Sequence, residues 1–69
     1  MYIAILQTYY ELYAIGKTRR EAEENIVKAY LNCMPVDRQI ENPTFETLRW
    51  EIGIGVYYID PKKGYVMEG

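Results

Sequence analysis

Apolar residues along this chain follow two different periods, and the change from one to the other marks its elements. Residues 2–7 (Tyr-Ile-Ala-Ile-Leu-Gln) form a β-prone run, and residues 9–15 (Tyr-Tyr-Glu-Leu-Tyr-Ala-Ile) form a second, stopped by Gly16. The minimal gap near Thr8 predicts a hairpin. Beyond Gly16 the period lengthens. Ala22, Ile26, Ala29, Tyr30 and Cys33 recur at helical spacing, and Val27, Leu31 and Met34 widen the stripe. Glu21, Glu24, Asn25, Lys28 and Asn32 lie opposite. Thr18 and Glu21 have the spacing of a capping box, in which the hydroxyl accepts the N–H three residues on and the glutamate reaches back to the Thr18 N–H. Glu24 and Lys28 form an i,i+4 pair in the favourable order. Pro35 disfavours helical geometry at Met34, so the helix is expected from about Arg19 to Cys33.

Residues 35–43 are polar, carry two prolines and read as a loop. The stretch after them admits two readings. As a helix, Thr44 caps it, Phe45, Leu48 and Ile52 share a face, and Gly53 closes it. As a strand, Leu48, Trp50, Ile52, Ile54, Val56 and Tyr58 alternate with Thr47, Arg49, Glu51, Gly53 and Gly55. Two glycines in three residues favour a break, hence a short helix at 45–52 and a strand at 54–60. Asp60-Pro61-Lys62-Lys63-Gly64 is a turn, with proline presetting φ and glycine taking the left-handed position. Residues 65–68 then close a second hairpin. The order β-β-α-(α)-β-β predicts a single α+β domain over 1–69, in two layers: an antiparallel sheet with helix packed on one face.

The block Gly16-Lys17-Thr18-Arg19-Arg20-Glu21-Ala22-Glu23-Glu24-Asn25-Ile26, following two strands, resembles the strand-strand-helix core of HicB-like antitoxins. That family shows a short turn, a capping threonine and an Ala-x-x-Asn-Ile-like helix start. The resemblance covers residues 2–33; residues 44–69 depart from the family's pattern, and no DNA-binding module is added. As a whole the chain is similar to small phage and mobile-element proteins of Gram-positive bacteria. Such a likeness implies a module that blocks or sequesters a host component, or an antitoxin-like regulator.

Size sharpens the expectation of a partner. A 69-residue chain buries only about 60% of the surface its unfolded form exposes. Its core supplies about 3–5 kcal/mol unaided. Cys33 is the only cysteine, so no internal disulfide helps, and without histidine a zinc cage is nearly excluded. Self-association or docking on a larger protein is the remaining source of stability. The lone thiol fits a reducing compartment, and the run from Tyr2 to Leu6 is too short for a signal-peptide core or a membrane span, so a cytoplasmic protein without membrane contact is expected. A net charge of −2 and a pI of about 5.0 make general nucleic-acid binding unlikely.

Catalytic chemistry finds little foothold. There is no histidine and no thiol beside a base, and the ten carboxylates show no telling spacing. Gly53-Ile54-Gly55 lacks the third glycine and following helix of a dinucleotide loop. A non-enzyme without cofactor or metal is expected, with Cys33 a small buried hydrophobe on the helix stripe. Lys17, Thr18, Arg19 and Arg20 flank the start of the long helix, where amides, a hydroxyl and cations could hold a phosphate or carboxylate such as a nucleotide's. The competing reading is a solvated charged turn. Lys62 and Lys63, at the second hairpin's tip, read as edge protection.

Eight tyrosines are many for this length, and seven (Tyr2, Tyr9, Tyr10, Tyr13, Tyr57, Tyr58, Tyr65) fall in predicted strands. Apolar residues also occupy both registers of the first strand, Ile3 and Ile5 against Ala4 and Leu6, as in sheets covered on both sides. One helix layer covers one side. The other is expected to meet a protein partner or a second copy in a two-fold dimer, through Tyr9, Tyr13 or Tyr57, although plain sheet packing competes as an explanation.

Overall fold

The computed structural model describes residues 1–7, 12–60 and 62, and the backbone course of 64–67. It is the expected α+β arrangement: β1 (Tyr2–Leu6), β2 (Tyr13–Gly16), α1 (Arg19–Cys33), a 3-10 turn at Val36–Arg38, α2 (Phe45–Glu51), β3 (Ile54–Asp60) and β4 (Gly64–Met67). The antiparallel sheet has the order β2-β1-β3-β4. Both hairpins thus sit side by side, joined through β1 and β3.

Alternation decides which side of the sheet meets the helices. Ala4, Leu6, Ile54 and Val56 form one buried cluster with Ala22, Ile26 and Tyr30 of α1 and Leu48 of α2. Tyr2 and Tyr58 share this side, their rings 5.2 Å apart. Tyr30 spans the layer and ends it, its hydroxyl accepting the Ile40 N–H at 3.0 Å. Gln39 closes the end of α1 by donating to the carbonyls of Leu31 and Met34.

Two glycines are required by position. A Cβ on Gly16 would lie 2.5 Å from the Ala22 nitrogen and 2.6 Å from the Glu21 Cβ, because the first turn of α1 folds directly back onto the end of β2. The Asn25 amide fastens the same junction by donating to the Ile15 carbonyl at 2.9 Å. Gly53, at φ +101°, takes the left-handed position that ends α2. The helix reading of 45–52 therefore holds, and the strand reading fails because Thr44 and Thr47 build a capping box there.

Three local expectations are corrected. Glu21 does not reach the Thr18 N–H; its carboxylate accepts the Lys17 N–H, one residue further back, while Thr18 does cap the Glu21 N–H. Glu24 is engaged by Arg20 from the preceding turn rather than by Lys28. Cys33 is exposed: the chain that returns to the end of α1 makes its contacts through Gln39 and Ile40 with Tyr30, Leu31 and Met34. The Thr8 connection, and Tyr9 and Tyr10 of the second run, lie outside the described residues.

Candidate protein-contact face

Opposite the helices, no helix or strand among the described residues covers the sheet. Register places Tyr13, Ile5 and Gly55 in one row across β2, β1 and β3, and Ile15, Ile3 and Tyr57 in the next. Directly paired residues point to the same side. These rows alternate with the core positions Ala4 and Leu6, so they face away from α1 and α2. Ile59 follows Tyr57 on the same side of β3 by the two-residue period. Among the described residues the face carries no charged side chain; Gln7 is its polar limit at one end of β1.

The face has relief. Its β2 flank stands proud, with Tyr13 57% and Ile15 46% exposed. Ile3, in the middle, is only 8% exposed although it lies outside the cluster that packs under the helices. The β3 flank is recessed. Gly55 has no side chain, and the Tyr57 ring folds back along the strand into that space: a Cβ on Gly55 would lie 2.9 Å from the Tyr57 Cε2 and hydroxyl oxygen. Ile5, Gln7, Gly55 and Tyr57 line a shallow depression of about 360 Å³ there.

The sequence-derived contact residues are thus partly brought together. Tyr13 and Tyr57 share this face on opposite flanks of β1, whereas Tyr9 lies outside the described residues. Sequence reasoning missed the depression. Its one signal was Gly55 inside a strand, a position that marks a close approach. It also did not foresee Trp50, 89% exposed on α2 beside Glu46 and Arg49.

The four residues of the charged turn do gather at the start of α1, and each makes a contact with a neighbouring glutamate. Glu21 takes the Lys17 N–H at 2.9 Å, Thr18 caps Glu21 at 3.1 Å, and Arg19 and Arg20 meet Glu23 and Glu24 at 3.0 and 3.3 Å. An incoming anion would compete with three carboxylates already in place. A groove between α1 and α2, floored by Val27, Pro43 and Phe45, is rimmed by the same Arg20 and Glu24.

Elsewhere the described residues hold no cluster of three or more metal-ligating side chains, and their buried positions are apolar apart from the satisfied Tyr30 hydroxyl. No helix among them is long and apolar enough to cross a membrane. No protein-family model, curated protein or solved structure matches the chain.

Proposed function

We propose that this protein is a non-enzymatic binding module that docks a protein through the bare side of its sheet and acts by occupying or blocking that partner. The observation that carries the proposal is the uncharged double row Tyr13–Ile5–Gly55 and Ile15–Ile3–Tyr57, on the side of the sheet away from α1 and α2 and without a covering layer among the described residues. A sheet side meant for water alternates polar residues outward; this one presents isoleucine and tyrosine. Contiguous apolar patches of this kind mark interaction sites. Tyrosine suits such a surface because it buries area and keeps a polar tip.

Cross-linking in the cells that make the protein tests the proposal. Wild type and Ile15→Lys are tagged and compared, with circular dichroism showing the same fold. Adducts formed by the wild type and lost in Ile15→Lys support docking through the sheet. An adduct set unchanged by the substitution, or no adduct at all, overturns it.

A further inference from the structure

We draw no further inference here: the strongest candidate, the uncharged sheet face of Ile3, Ile5, Tyr13, Ile15, Gly55 and Tyr57 on the side away from α1 and α2, belongs to the docking surface already described, and nothing in the structure shows what covers it.

Discussion

Leu6 and Ile15 are both branched aliphatic residues on adjacent strands, yet the layering makes opposite demands on them. Leu6 is fully buried between the sheet and the helices, in the same cluster as Ile26, Tyr30 and Leu48. Leu6→Ala removes three buried carbons and leaves a cavity that Tyr30 and Leu48 cannot close, which costs about 2–5 kcal/mol. A domain of this length has a total stability of about 3–10 kcal/mol. The variant therefore keeps little or none of its folded margin. Ile15 is nearly half exposed on the edge strand of the bare side. Ile15→Thr keeps the β-branch that suits a strand and gives up a modest buried area, a loss of under about 1 kcal/mol. Urea unfolding by circular dichroism reads both. With a slope of about 1 kcal/mol/M for a small domain, Leu6→Ala lowers the midpoint by about 2 M or more, and Ile15→Thr by less than about 1 M. The measurement belongs at sub-micromolar concentration, where association adds no stability. Equal losses from the two substitutions at high dilution would refute the one-sided layering, because Ile15 would then be covered within a single chain.

Other perturbations probe the joints of the fold. Gly16→Ala pushes a methyl into the Ala22 and Glu21 backbone and should cost about 1–3 kcal/mol, read as a lowered urea midpoint; an unchanged midpoint would mean that α1 does not approach β2 as closely as described. Thr18→Ala and Thr44→Ala each remove a helix N-cap and should cost about 1 kcal/mol in the same assay. If the charged turn holds an anion, calorimetry of the wild type against a nucleotide panel gives heat that Arg19→Glu with Arg20→Glu abolishes without unfolding the chain. Silence from the wild type removes that ligand class and leaves Arg19 and Arg20 as partners of Glu23 and Glu24.

Much of the architecture was legible because it depends on local chemistry. Thr18 and Pro35 bound α1 through a cap and a steric clash, both of which act within a few residues. Thr44 and Gly53 bound α2 in the same way, and Gly53 resolved the helix against the strand through its left-handed backbone. What depended on neighbours distant in sequence was less legible. Cys33 continues the apolar stripe of α1 yet is exposed, because burial depends on what later residues cover, and Gln39 and Ile40 return to Tyr30, Leu31 and Met34. Glu21 satisfies Lys17 instead of Thr18 because the tight β2–α1 junction brings that amide within reach of the carboxylate. For the candidate site, the excess of tyrosine pointed to an uncovered sheet side. Its composition left open which tyrosines share it, since that depends on the β1–β3 pairing between residues some fifty apart. That pairing sets Tyr13 and Tyr57 on one face and turns Gly55 from a strand-breaker into a recess. Tyr2 and Tyr58, by contrast, go to the helix side as packing.

The most direct test of the central claim is the accessibility of individual isoleucine methyl groups to a soluble paramagnet, recorded by NMR across a concentration series. Ile26 and Ile54 belong to the core, and Ile5 and Ile15 to the bare side. The account predicts that in dilute solution Ile5 and Ile15 relax strongly while Ile26 and Ile54 do not, and that adding a partner identified by cross-linking protects Ile5 and Ile15 alone. Ile15 as shielded as Ile26 in the dilute monomer would contradict it, and so would Ile5 and Ile15 remaining fully accessible when the partner is bound.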